Sequence, residues 1–504
     1  MKAKRSLYNL FFNIISLLIT FALGIIIPKL FIVNLGSEAN GLVSSVGQIF
    51  SYVSLLEAGI GATAIQALYK PIVEDDKNRM NQILSASNRQ YKKIGFIYIL
   101  CIIIIAFVYP LVVSVDLPKW QVIGVICFSG LGSAINFLLQ QNYVVLLSAE
   151  GKGYVTTNLN LIVNVIVSLS KAILLLNGFN IVSVLGAQFF FTLLRIIFMR
   201  IYIKRHYKWL DTNVEPDYSA LHNQRYVLVQ QISYFVYTNT DVTLLTFMSN
   251  LKVVSVYTLY NMIIGVIESV VSAFTSSIVF ALGQLYNENF DKFKIIFKAF
   301  DSFYMTLVFA SFSVVYVFMM PFLLIYTKGI TDINYIDYTL TLLFVILKMV
   351  QTLRSQSQNV INLAGHFKET QNSSIVEAVM NIVISIIGVR YIGIYGLLIG
   401  SIVSCFYKGI VITHYADNAI LKASRKEIAM RYVRWVAYIL VFVCIYFFVP
   451  KILPTSFNSY FQLIYIAIPV ALIIFIIYFL IWAVIDINTT KDTIMFVKDR
   501  FIKK

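Results

Sequence analysis

Charge is scarce in this 504-residue sequence: Asp, Glu, Lys and Arg together make up 13% of it, against 59% hydrophobic residues. Soluble globular chains carry about a quarter charged residues, so a water-soluble fold is excluded. Cysteine is scarce as well. Cys101, Cys127, Cys405 and Cys444 all lie in apolar runs without CxxC or Cys/His spacing, which argues against both a disulfide framework and a metal site. They read as small hydrophobes. GxSxG, HExxH and Walker A motifs are absent, so neither enzyme chemistry nor ATP hydrolysis is expected of this chain. The histidines, His206, His222, His366 and His414, fall near the ends of apolar runs and offer no metal cluster. No cofactor is expected.

What the sequence has in abundance is apolar runs. Fourteen fall near 7–33, 41–67, 94–115, 120–147, 154–176, 179–203, 226–248, 253–284, 299–326, 336–363, 371–390, 393–415, 432–450 and 460–485. A membrane-spanning helix needs roughly 20 such residues, so we expect an all-α polytopic membrane protein of about fourteen transmembrane helices. The first run follows Lys2, Lys4 and Arg5 but is too long for a signal peptide and has no A-x-A cleavage pattern; it reads as an uncleaved helix.

Net charge is +16, from 40 Lys and Arg against 24 Asp and Glu. The cations form short clusters between apolar runs and no basic domain, so nucleic acid is not the expected partner. Alternate connections hold Lys70, Lys77, Arg79, Lys92 and Lys93; Lys204, Arg205 and Lys208; Lys292 and Lys294; Lys422, Arg425 and Lys426; and Lys498, Arg500, Lys503 and Lys504. The others hold only Lys119, Lys252, Lys328 and Lys451. By the positive-inside rule both termini are cytoplasmic. The inside connections near 68–93 and 204–225 are the longer ones, and none of the loops has room for a catalytic domain.

Laid on itself with a shift of about 215 residues, the chain matches at Gly41 and Val256, at Ala149 and Ala364, and at Gly186 and Gly400. Six spans thus repeat as six. An even number per copy makes the repeat parallel, with the substrate expected between the lobes. The sequence therefore divides into an amino-terminal lobe, 1–215, a carboxyl lobe, 216–425, and two additional spans with a tail, 426–504.

Leu35-Gly36-Ser37-Glu38-Ala39-Asn40-Gly41-Leu42 resembles the LG-x-x-x-x-GL segment joining the first two helices of polysaccharide flippases, within the multidrug/oligosaccharidyl-lipid/polysaccharide transporter superfamily. Pro28, Glu57-Ala58-Gly59-Ile60-Gly61 and Ala149-Glu150-Gly151-Lys152 extend the resemblance, and length and helix count agree over the whole chain. The resemblance implies two pseudo-symmetric six-helix lobes around a central cavity, as in multidrug (MATE-like) transporters. It also implies export of an undecaprenyl-diphosphate-linked oligosaccharide, of capsule, exopolysaccharide or teichoic acid type, across a bacterial cytoplasmic membrane. Membrane lipid and a polymerase or glycosyltransferase are the implied partners. The related lipid II flippases carry an Arg-Asp pair in the first helix where this sequence reads Ile27-Pro28.

Ionisable residues within spans cost a few kcal/mol each and normally face a cavity or a partner. Those on the cationic side are Lys171, Arg195, Lys348, Arg354 and Lys408, with Lys29 and Arg390 nearer the outer interface. A lipid diphosphate passing through a low-dielectric region needs such fixed cations, so Lys171, Arg195, Lys348, Arg354 and Lys29 are the candidate headgroup ligands. Gln140, Gln141, Asn142, Gln351 and Ser355 are candidate sugar contacts; Lys348, Gln351, Ser355 and Gln358 share one stripe of the tenth span. The acids Glu57, Asp241, Glu268 and Glu377 either neutralise the cations or titrate; Glu57, Asp241 and Glu268 are candidates for coupling to a proton or sodium gradient. A multidrug cation antiporter, the main rival reading, would need an acid-dominated cavity. Lipid II export is the second.

Overall fold

The computed structural model describes residues 2–57, 60–150, 152–218, 235, 239–364, 366–452, 454, 457 and 459–485. Ala58, Gly59, Gly151, His222, Tyr237, Thr238 and the carboxyl-terminal basic cluster lie outside the described residues. Described backbone is helical apart from turns and short loops, with no strand among the described residues. Ten segments within it are long and apolar enough to cross a membrane. Large apolar side chains stand exposed along them, among them Phe107 at 76%, Leu111 at 80% and Phe461 at 81%, as a lipid-facing surface requires.

Helix α1 covers Lys2–Ser54, yet Gly36 interrupts it at φ 86°, ψ 165°. Such a positive φ is open to glycine without a Cβ penalty, and it turns the chain between the first two spans. A 3-10 turn, Leu55–Glu57, then leads to α2, Ile60–Val73. Helix α3 spans Lys77–Val112, started by Asp76, whose side chain accepts from the Arg79 N–H. The connection read as a loop near 68–93 is therefore mostly helix. Apolar Met80, Ile83, Leu84 and Tyr91 bury one face of it, and the 209–217 stretch lies against that region. Asn81 donates to the Trp209 carbonyl at 3.1 Å, Ser85 to Val214 at 2.7 Å, and Arg79 pairs with Asp217 at 2.5 Å.

Next come α4 (Lys119–Leu139), α5 (Gln141–Ala149), α6 (Gly153–Leu176) and α7 (Ile181–His206). Residues 239–248 are helical, followed by α8 (Leu251–Glu288), α9 (Phe290–Tyr326), α10 (Tyr338–Leu353), α11 (Ser355–Ala364), α12 (Phe367–Ile392) and α13 (Ile394–Tyr415). A π-helical turn, Ala416–Leu421, precedes α14 (Arg425–Ile452) and α15 (Tyr460–Ile485). Two spans read as continuous, 120–147 and 336–363, are broken, at Gln140 and at Arg354. The two breaks stand one repeat length apart.

By packing the chain forms two compact units, residues 1–259 and 260–504, where the sequence reading expects a division at 215. Within the first unit the second half of α1 meets the 239–258 stretch. Gln48 donates to Asn239 Oδ1 at 2.9 Å, Thr246 to Ser45 Oγ at 3.0 Å, and Asn40 to Ser255 Oγ at 2.8 Å. A Cβ on Gly41 would stand 1.8 Å from the Leu251 carbonyl oxygen, so glycine is what lets the two backbones touch.

In the second unit α12 and α13 form a hairpin of small residues. Gly388 faces Gly396, Gly400 faces Ser385, and Asn381 donates to Ser401 at 2.9 Å. The two helices beyond the repeat, α14 and α15, pack on α9. Tyr438 and Thr306 share a hydrogen bond at 2.5 Å, Tyr478 and Ser313 one at 2.9 Å, and both Trp482 Nε1 and Arg434 donate to Ser302.

Candidate functional site

In the second unit, charge gathers around the break at Arg354. Helix α10 is started by Asp337, whose carboxylate accepts the Leu340 N–H at 2.9 Å, and is apolar until Lys348. Lys348 Nζ lies 3.1 Å from Glu268 on α8. One turn further the helix stops, and Arg354 reaches Glu377 on α12, which also takes Lys408 of α13 at 2.9 Å. Gly409 leaves room beside it, a Cβ there lying 3.7 Å from that of Arg354. Ser355, first residue of α11, donates to the Tyr304 hydroxyl at 3.0 Å. Gln351 is part-buried.

The first unit holds a related arrangement in which amides replace acids. Arg195 on α7 donates to Asn160 at 3.1 Å and to Asn136 at 3.3 Å. Asn136 donates to Gln141 Oε1 at 3.4 Å, and Gln141 to Glu57 Oε1 at 2.5 Å. A chain of four side chains thus runs from the cation to the carboxylate. Gly61 makes space for its far end: a Cβ there would lie 3.1 Å from the Tyr91 hydroxyl and 3.5 Å from Glu57 Oε1.

The second unit's cluster holds Lys348, Arg354, Ser355 and Glu268, and the first unit's holds Arg195, Gln141 and Glu57. The remaining expected residues stand apart. Lys29 is part-buried one residue past Pro28 in α1, and Lys171 is part-buried with no ion pair or hydrogen bond among the described residues. Asn142 is buried and accepts from Ser87 at 2.7 Å. Gln140, at the break itself, is buried with its side-chain oxygen lacking a hydrogen-bond partner among the described residues. Asp241 accepts from Tyr257 at 2.7 Å.

Several groups escaped the sequence reading. Asn136, Asn160 and Tyr304 carry no charge and so gave no signal within apolar runs. Glu377 and Lys408 were visible as buried charges, but their pairing with Arg354 depends on three helices meeting. A cavity of about 370 Å³, lined by Lys298, Asp301, Asp417, Glu427, Arg431 and Arg434, sits where α9 and α14 begin. Arg431 there holds Asp417 at 2.5 Å and Asp301 at 3.4 Å. Glu150 and Lys152, from the fourth resemblance motif, pair at 2.6 Å and both bond the Tyr207 hydroxyl. Burial opposes the charge of Lys152, but Glu150 and Tyr207 outweigh it and hold the amine above its usual range. Burial and the same carboxylate push Tyr207 up to about 12. No group of His, Cys, Asp and Glu suited to a metal ion occurs among the described residues.

No protein-family profile and no curated protein matches this sequence. Solved structures do. The lipid II flippase MurJ, in an inward closed conformation, aligns with a TM-score of 0.67 and 14% identity over 93% of this chain and 98% of that one. An inward-facing multidrug resistance MATE family transporter of the MOP superfamily aligns at 0.64 and 17% identity, over 80% and 95%. The fold is that of the MOP superfamily transporters. A MOP superfamily transporter from Pyrococcus furiosus, described as having a binding pocket of reverse polarity that suggests a different function, aligns at 0.52 and 17% identity, over 82% and 96%.

Proposed function

We propose that this chain is a flippase that exports an undecaprenyl-diphosphate-linked oligosaccharide repeat unit, of capsule, exopolysaccharide or teichoic acid type, across a bacterial cytoplasmic membrane by alternating access. The observation that carries this reading is the placement of cations at the breaks. Around the two breaks Arg195, Lys348, Arg354 and Lys408 stand in the clusters that hold Glu57, Glu268 and Glu377, and Lys171 lies within a span as well. Cations set within the spans at the breaks suit a diphosphate and repel the organic cations that a multidrug antiporter carries. The amides of Gln141 and Gln351 and the hydroxyl of Ser355 suit sugar hydroxyls. An ion gradient drives the cycle in this reading, with Glu57 or Glu268 as the coupling acid.

Lipid II is the second reading, favoured by the alignment with MurJ, which takes in 93% of this chain against 80% for the MATE transporter. Ile27-Pro28, in place of an Arg-Asp pair in α1, weighs against it. Depleting the protein and measuring the undecaprenyl-linked sugars by mass spectrometry, with an impermeant probe for sidedness, separates these readings. One completed oligosaccharide-lipid accumulating on the cytoplasmic side is the expected result. Accumulation of lipid II selects the second reading, and an unchanged lipid pool with altered resistance to cationic drugs overturns both.

A further inference from the structure

The cavity at the start of α9 and α14 is walled by three stretches of the second unit: the first turns of α9, the π-helical turn with its exit, and the first turns of α14. Its floor is already paired. Arg431 donates to both Asp417 oxygens, at 2.5 and 2.7 Å, and lies 3.4 Å from Asp301. The mouth is different. Lys294 pairs at 3.2 Å with Asp291, which is 91% exposed, and Lys298 at 3.4 Å with the exposed Glu427. Ion pairs open to water hold loosely, so both amines can turn to a stronger anion. Lys422, also at the mouth, is exposed and its amine has no ion pair or hydrogen bond among the described residues. Its backbone stands at φ 50°, ψ 47°, one of two non-glycine residues at positive φ among the described residues. That conformation strains any residue with a Cβ. The Asp417 carbonyl holds the chain in it by accepting the N–H of Lys422 and, at 2.9 Å, that of Ala423. Strained residues and π-helical turns both collect at functional sites.

The level of the cavity narrows the class of ligand. The span within α14, Arg425–Val449, has 25 residues, about 37 Å of helix against a hydrocarbon core of about 30 Å, so its first turn stands among lipid headgroups. Tyr432 and Trp435 follow, an edge-to-face pair with ring centroids 5.3 Å apart, as aromatics do at that interface. Ile295, Leu421, Ile428 and Met430 make part of the wall apolar. Ile295 at 57% and Val433 at 54% exposure put lipid-facing surface beside the cations. We propose that this cavity binds the headgroup of an anionic phospholipid from the surrounding leaflet, with its phosphate on Lys294, Lys298 and Lys422 and the root of its acyl chains against the apolar wall. Basic pockets between spans recognise such headgroups. A choline headgroup would bring its own cation against three lysines, and a free phosphate has no use for the apolar wall. The site is separate from the breaks at Gln140 and Arg354 and stands or falls independently of the oligosaccharide reading.

The test is native mass spectrometry of the purified full-length protein in detergent, titrated with dioctanoyl phosphatidylglycerol and with dioctanoyl phosphatidylcholine. The wild type should retain phosphatidylglycerol in preference. Lys294→Gln, Lys298→Gln and Lys422→Gln should each weaken its binding about fivefold and leave phosphatidylcholine unchanged. Lys292→Gln and Lys426→Gln, exposed lysines at the same ends of α9 and α14 that do not line the cavity, should change neither. An equal loss in those two would assign the preference to surface charge at large and overturn the site, as would equal retention of both lipids by the wild type. Inorganic phosphate that displaces phosphatidylglycerol at the concentration where the lipid itself binds overturns the lipid assignment in favour of a soluble phosphate compound. Lys422→Gly separates recognition from folding. It relieves the left-handed backbone, so the unfolding temperature should rise while phosphatidylglycerol binding weakens as in Lys422→Gln; a more stable variant that binds the lipid as before removes Lys422 from the site.

Discussion

Glu427 illustrates how one carboxylate ties a helix start to its surroundings. Ser424 and Glu427 cap each other at the beginning of α14: Glu427 accepts the Ser424 N–H at 2.8 Å and Ser424 Oγ accepts the Glu427 N–H at 3.3 Å. Lys298 lies 3.4 Å from the same carboxylate. Glu427→Ala removes this cap and should cost about 1 kcal/mol of stability, seen as a fall in unfolding temperature in detergent; an unchanged unfolding temperature would contradict it. Gly41 offers a residue-scale test of packing. Gly41→Ala brings a Cβ against the Leu251 carbonyl, where only backbone movement relieves it, and should cost about 1–3 kcal/mol. Gly47→Ala, with nothing within 4 Å of its Cβ, should be near neutral. The LG-x-x-x-x-GL segment marks Gly41 and not Gly47, but the reason lies in a partner backbone more than two hundred residues away, which the segment alone does not reveal.

At the scale of elements, apolar run length located every described span, because hydrocarbon thickness imposes that length. Run length is blind to a break inside a run. The stops at Gln140 and Arg354 lie inside single apolar runs, and Lys348, Gln351, Ser355 and Gln358 were read as one stripe of an unbroken helix when they belong to two. The same limit left the last two spans without a role. Their role in packing is set by polar contacts below α9: Arg431 on α14 binds Asp417 and Asp301, all three nearly buried, with side-chain exposures of 13%, 3% and 5%. Removing the arginine takes the cation from Asp417 and leaves Asp301 only Arg434, 4.0 Å away. Arg431→Ala should lower stability by about 3–5 kcal/mol, seen as a fall in unfolding temperature. Adding Asp417→Asn and Asp301→Asn to it should recover part of that loss, because the stranded charge causes most of it; no recovery would assign the loss to packing of the arginine stem instead.

For the molecule as a whole, the distribution of cations in the sequence makes a claim about orientation that helix packing alone does not address. The amino terminus lies inside if the clusters at Lys77 and Arg79, at Lys204 and Arg205, and at Arg425 and Lys426 face the cytoplasm. Lys119 and Lys328, the sparse cations of the alternate connections, then face outward. All four sites chosen for labelling, Lys77, Lys119, Lys328 and Lys426, are exposed, so reactivity reports sidedness and not burial. In a variant with Cys101, Cys127, Cys405 and Cys444 replaced by serine or alanine, a membrane-impermeant maleimide added to intact cells should label Lys119→Cys and Lys328→Cys. It should reach Lys77→Cys and Lys426→Cys only after permeabilisation. The reverse pattern would place the cation clusters outside and invert the orientation read from them. A mixed pattern, with Lys119→Cys outside and Lys328→Cys inside, would mean that an odd number of crossings separates the two, which is incompatible with the parallel repeat of six spans read from the sequence.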